Sequence, residues 1–128
     1  MNNNSIITVN QWIYQKLSSD DTLKRLVDKQ IYPIIVEENG KFPFIVFTRR
    51  SVNIAYGNDG VHGESGQVVI SVVAKNYIDT INIIQRVREV LEPTCDEYAV
   101  RCNIVEMQEG FYNNCFVQTM TIQVEVRT

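Results

Sequence analysis

At 128 residues, 45% hydrophobic and 21% charged, the chain reads as one domain with enough apolar material for a real core. Its net charge of -3 argues against a duplex-DNA binder, which presents a basic face to phosphates, but suits a wall that DNA slides past without specific binding. Three cysteines without CxxC spacing and an N-terminus unlike a secretion signal fit thiols in a reducing cytoplasm. No apolar run approaches the ~20 residues of a membrane helix, so no membrane partner is expected.

Asn4 or Ser5 caps a first helix to about Leu17, with Ile6, Val9, Ile13 and Leu17 on one stripe at helical spacing. Trp12 lies off that stripe, either covered elsewhere by the fold or marking a contact surface. Ser18 to Asp21 breaks the pattern, and Asp20 or Asp21 caps a short helix, Thr22 to Val27, packed through Leu23, Leu26 and Val27. Gln30 to Pro33 is extended, and Pro33, lacking an N–H, sets it at a sheet edge or ends it. A turn over 36–42 around Asn39-Gly40 leads to an apolar strand from Phe44 that becomes polar at Arg49, Arg50 and Ser51.

Residues 53–66 hold Gly57, Gly60, Gly63 and Gly66 and predict a long mobile loop or open hairpin, because glycine backbone is costly to order without contacts. Gln67 to Ala74 is apolar on both pleat faces apart from Ser71, a strand that wants cover on both sides. It runs directly into a helix, Tyr77 to Leu91, with Asn76 as N-cap and Pro93 beyond its end. Tyr77, Ile81, Ile84, Val87 and Leu91 form the expected core face; Asp79, Asn82, Gln85, Arg86 and Glu89 face water. Tyr98 to Met107 reads as a strand and Gly110 to Asn114 as a turn. Cys115 to Arg127 alternates cleanly. Phe116, Met120, Ile122, Val124 and Val126 point one way; Val117, Thr119, Thr121, Gln123, Glu125 and Arg127 point the other. The expected fold is α+β: a mostly antiparallel sheet of four to five strands with two main helices packed on one face, one domain over 1–128.

Residues suited to catalysis are sparse. His62 is the sole histidine and sits in the glycine-rich stretch without a paired nucleophile. Asp59, His62 and Glu64 lack the acidic spacing of a calcium loop. No HExxH, GxSxG or phosphate loop is present, so no enzyme, metal or cofactor is expected. The residues set aside as candidate partner contacts are Trp12, Arg49, Arg50, Tyr56, Asp59, His62, Glu64, Thr119, Thr121, Gln123 and Glu125. A sheet whose second side is only partly apolar, with one layer of helices to cover it, points to a further chain. A ligand-binding or enzymatic α+β domain stays open as a reading of another class, and requires an enclosed pocket with convergent polar groups.

The order of elements is also familiar. LSSDDTLKRLV leads to IYP at 31–33, PFIVF at 43–47, a glycine-rich segment, VVAKNY at 72–77 running into the helix, and a final TIQVEVR. Over roughly residues 8 to 127 this resembles the tail-completion, or tail-terminator, family of long-tailed phages and prophages, small head-tail joining proteins grouped as a domain of unknown function. Residues 92–115 match that pattern poorly. The resemblance implies a ring, typically of six copies, that caps the tail tube and offers the surface joining the filled head. It implies partners in the tube protein and a head-tail connector, assembly in the host cytoplasm, and a final place in the virion tail. A connector or stopper on the head side of the neck is the neighbouring alternative. The family carries no catalytic residue over to this chain.

Overall fold

A computed structural model describes residues 6–33, 41–58, 60–94 and 101–127 and, of Val61, His62, Thr94 and Arg127, the backbone. The expected turn over 36–42 lies mostly outside the described residues, as does the expected strand start at 98–100. After a single 3-10 turn, Ile6–Thr8, come α1 (Val9–Ser18) and α2 (Asp21–Val27). Then follow β1 (Ile31–Pro33), β2 (Phe44–Gly57), β3 (Gly60–Ala74), α3 (Tyr77–Leu91), β4 (Arg101–Tyr112) and β5 (Cys115–Arg127). The five strands form one sheet in the order β1-β2-β3-β5-β4. β1 runs parallel to β2, and every other neighbouring pair is antiparallel, so the architecture is the expected α+β fold. β1 takes an edge and Pro33 is its last residue, as proline's missing donor requires.

The helices pack on one side. Alternation along the strands sends Ile45 and Phe47 of β2, Val68, Ile70 and Val72 of β3, and Met120, Ile122 and Val124 of β5 into one buried cluster with Ile6, Val9, Ile13 and Leu17. α1 lies over β1 and β2, and α3 over β3 and β5. Trp12 and Leu26 are half-buried against that cluster. Where the 3-10 turn crosses β3, a side chain at Gly66 would put its Cβ 2.3 Å from the Ser51 carbonyl oxygen and 3.0 Å from Ile6. Only glycine admits so close a crossing.

α2 is held by its cap. The Asp20 carboxylate accepts from the Leu23 amide at 3.0 Å, and Arg86 of α3 grips it with two hydrogen bonds, Nε at 2.9 Å and Nη2 at 2.6 Å. Arg86, expected to face water, instead joins two helices. The buried stripe of α3 also differs from the expectation. Thr80 and Ile83 are enclosed beside Ile84, Val87 and Leu91, while Tyr77 and Ile81 sit exposed on the flank. A hydroxyl is tolerable at Thr80 because its Oγ1 donates to the Tyr77 carbonyl at 2.6 Å.

Three further expectations change. Residues 52–57 and 60–66 pair as antiparallel strands, from Val52↔Gly66 to Gly57↔Gly60 with a register shift between Ala55 and Tyr56, because β5 supports β3 as far out as Gly63↔Arg127. β4 extends to Tyr112, and the turn shrinks to Asn113-Asn114, both in the left-handed conformation of a type I′ hairpin. Cys115 is a buried free thiol, but Cys102 is engaged in a disulfide, correcting the expectation of a thiol there.

Candidate assembly surface

The side of the sheet away from the helices is without cover among the described residues. Its side chains line up in rows across four strands. One row is Val46, Ser71, Thr119, Gln108; the next is Thr48, Val69, Thr121, Glu106. Toward one end Phe44, Val73 and Val117 make it apolar; toward the other, Gln67 donates to Gln123 at 3.2 Å, and Arg101 stands 4.0 Å from Glu125. Most of these residues are half-exposed, although Thr121 is buried between its cross-strand neighbours. β3, apolar on both pleat faces, is therefore enclosed on one side only. The physical consequence is a surface rich in β-branched residues, cheap to desolvate through its middle, where the polar groups are hydroxyls and amides, and charged toward its rim at Glu106, Arg101 and Glu125.

The candidate contact residues divide between several places. Thr119, Thr121, Gln123 and Glu125 share the bare face. Arg49 lies on the helix side, where its Nη1 donates to the Ile7 carbonyl at 2.7 Å. Arg50 is the exposed extra residue where the β2–β3 register shifts between Arg49 and Ser51. Tyr56 is 72% exposed near the tip of the hairpin, beside Ile54. Glu64 pairs with Ile54 and Val126 within the ladder, and Trp12 leans on the core. His62 belongs to β3 by its backbone, and Asp59 lies outside the described residues. The structure thus brings the β5 residues together but sets them apart from Trp12, Arg49 and Tyr56.

Several exposed apolar residues went unread. Ile7, Tyr14, Ile78, Met107, Phe111 and Tyr112 all stand out from the surface. The signal for Ile7 and Tyr14 was available, since both fall off the Ile6–Val9–Ile13–Leu17 stripe. Phe111 and Tyr112 fall in GFYNN, whose composition favours a turn although the strand continues through both. At that end Phe116 stacks against Phe111 and Tyr77, with ring centroids 4.8 and 5.6 Å away. Tyr77 donates its hydroxyl to Glu109 at 2.7 Å, and Gln118 donates to the same carboxylate at 3.0 Å. These bonds hold the Glu109 carboxyl below its ordinary range, while the neighbouring carboxylate pushes the Tyr77 hydroxyl up.

Among the described residues no group of three or more His, Cys, Asp or Glu is placed to hold a metal ion, and no helix is long and apolar enough to cross a membrane. No protein-family model matches the chain, and no curated protein matches it by sequence. Comparison of folds finds a chain in the virion of a native gene transfer agent (GTA) particle, with a TM-score of 0.70 at 15% identity, covering 91% of this chain and 92% of that one. At that identity the likeness establishes a shared fold, end to end.

Proposed function

We propose that the protein is a structural component of a phage-like virion, and that it caps the tail tube as a ring and provides the surface where tail meets head. The observation that carries this reading is the bare sheet face, on a fold shared over nearly its whole length with a chain of a gene transfer agent virion. A hydroxyl- and amide-rich face with an apolar end suits burial against other protein better than recognition of a small molecule. The grooves among the described residues are open rather than enclosed, which favours assembly over the ligand-binding alternative. The net charge of -3 suits passage of DNA without specific binding.

Mixing the purified chain with tail-tube subunits and imaging by negative-stain electron microscopy tests the reading. Rings seated on tube ends are the expected result. Strict monomers at every concentration in light scattering, with no binding to tubes, contradict it. The head-side connector reading predicts instead that the chain binds the portal or connector complex and ignores tubes.

A further inference from the structure

The helix layer stops short of one sheet edge. α1 lies over β1 and β2, and α3 over β3 and β5, so among the described residues the helix-facing row of β4 has no helix above it. A groove results. One wall is the end of α3 with Arg88 and Glu92; the other is Ile104 and Met107 of β4; toward the start of α3 the hydrogen bond from Tyr77 to Glu109 and the stacking of Tyr77 and Phe111 on Phe116 close it. The cleft has a volume of about 450 Å³. The position is the one a fourth helix would fill, since packed helices lie 8–10 Å apart. The groove is acidic as well as apolar: among the described residues its carboxylates are Glu92, paired to the cation Arg88 at 2.6 Å, and, at its far end, Glu109, which accepts from Tyr77.

At the opposite sheet edge stands a surface of matching chemistry. The flank of α1 turned away from the core exposes Tyr14, and the 3-10 turn that leads into it exposes Ile7. Arg49 is anchored beside it on the Ile7 carbonyl, and Lys29 lines the cleft between α1 and β1 together with Tyr14. No acidic residue occurs between Ile6 and Ser19.

We propose that the exposed flank of α1 in one copy docks into the α3–β4 groove of the next. This inference rests on the ring reading and deepens it by naming the contact between copies. Charge selects the pairing. Groove against groove sets carboxylates against carboxylates, and α1 against α1 sets Arg49 and Lys29 against themselves; only the mixed pairing joins opposite signs. Geometry agrees. The two surfaces lie at opposite edges of a five-stranded sheet, about 19 Å apart at ~4.8 Å per strand, so the contact is head-to-tail. Head-to-tail contacts propagate and close into rings where the rotation permits.

Cysteine cross-linking tests it. Tyr14→Cys and Met107→Cys replace side chains that are 46% and 43% exposed, so both variants should melt at the parent temperature. With both substitutions in one chain, mild oxidation should give a ladder of dimers, trimers and larger species on non-reducing gels. Each single variant should match the oxidised parent. Dimers from Met107→Cys alone would mean groove-to-groove pairing and overturn the proposal. Self-association in light scattering without a Tyr14–Met107 bond would overturn this contact and leave the ring reading standing. A monomer at all concentrations would remove both.

Discussion

The two faces of β3 teach how one strand divides its work. Val68, Ile70 and Val72 alternate with Val69, Ser71 and Val73, and composition hardly separates the two sets. On the helix side each valine and isoleucine is buried in the cluster shared with α3, β5 and the 3-10 turn before α1. On the other side the same residue types stay half-exposed, in rows with threonine, serine and glutamine. The strand's apolarity therefore serves folding on one face and is available for association on the other. Burial is decided by which neighbours have helices to spare, not by the strand's own sequence.

Truncation of adjacent residues gives the largest test of that contrast. Ile70→Ala removes a fully buried side chain and leaves a cavity, at a cost of about 2–5 kcal/mol in urea unfolding. Val69→Ala, one residue away, loses packing against the cross-strand Thr48 and Thr121 alone and should cost about 1 kcal/mol or less. Equal losses in the dilute monomer would mean that the second face is covered by the chain itself.

A middle-sized effect sits on the helix side. Asp20→Ala removes the N-cap of α2 and the partner of Arg86, and loss of a cap costs about 0.5–2 kcal/mol. The Arg86 guanidinium holds the Asp20 carboxyl below its ordinary 3.8, aided by the Leu23 amide and opposed by burial. Because the folded value is the lower one, the contribution is fully present above the unfolded value and is lost as pH falls through the folded one. The gap in melting temperature between parent and Asp20→Ala should stay constant from pH 7 to pH 5 and shrink below about pH 4. A gap unchanged at pH 2 would show that the pair's charge adds nothing to the cap.

Much of this division was legible in the residues. The alternation of Cys115 to Arg127 assigns Met120, Ile122, Val124 and Val126 inward, and the structure buries all four. Pro33 sets β1 at an edge or ends it, and both hold. What escaped was the meaning of positions whose character depends on a distant neighbour. Tyr77 and Ile81 suit a core stripe, and they stand on a flank because the helix layer ends before β4. Gly66 belongs to a strand because Ile6 must cross it closely, a demand that no local window contains. Arg86 looked solvent-facing because its partner, Asp20, is 66 residues away. The bare face itself was foreseen from β3, apolar on both sides, and β5, polar on one. The groove beside β4 is not legible there, because Phe111 and Tyr112 belong to GFYNN, a segment whose composition favours a turn.

The smallest effect on folding is also the sharpest probe of the bare face. Thr119 sits half-exposed on β5, in register with Ser71 and Gln108 and away from every helix among the described residues. Thr119→Lys disturbs no buried contact in the single chain, and the lysine stem can lie along the sheet with its ammonium in water. The melting of the dilute monomer should change by about 0.5 kcal/mol at most. If that face is buried in the particle, the same lysine puts an unpaired charge into an interface of hydroxyls, amides and valines, where desolvation is expensive. The variant should then fold as the parent does and fail to sediment with tail-tube subunits. Co-sedimentation equal to the parent's would mean that the face stays wet in the assembly, and that its valines serve only the sheet.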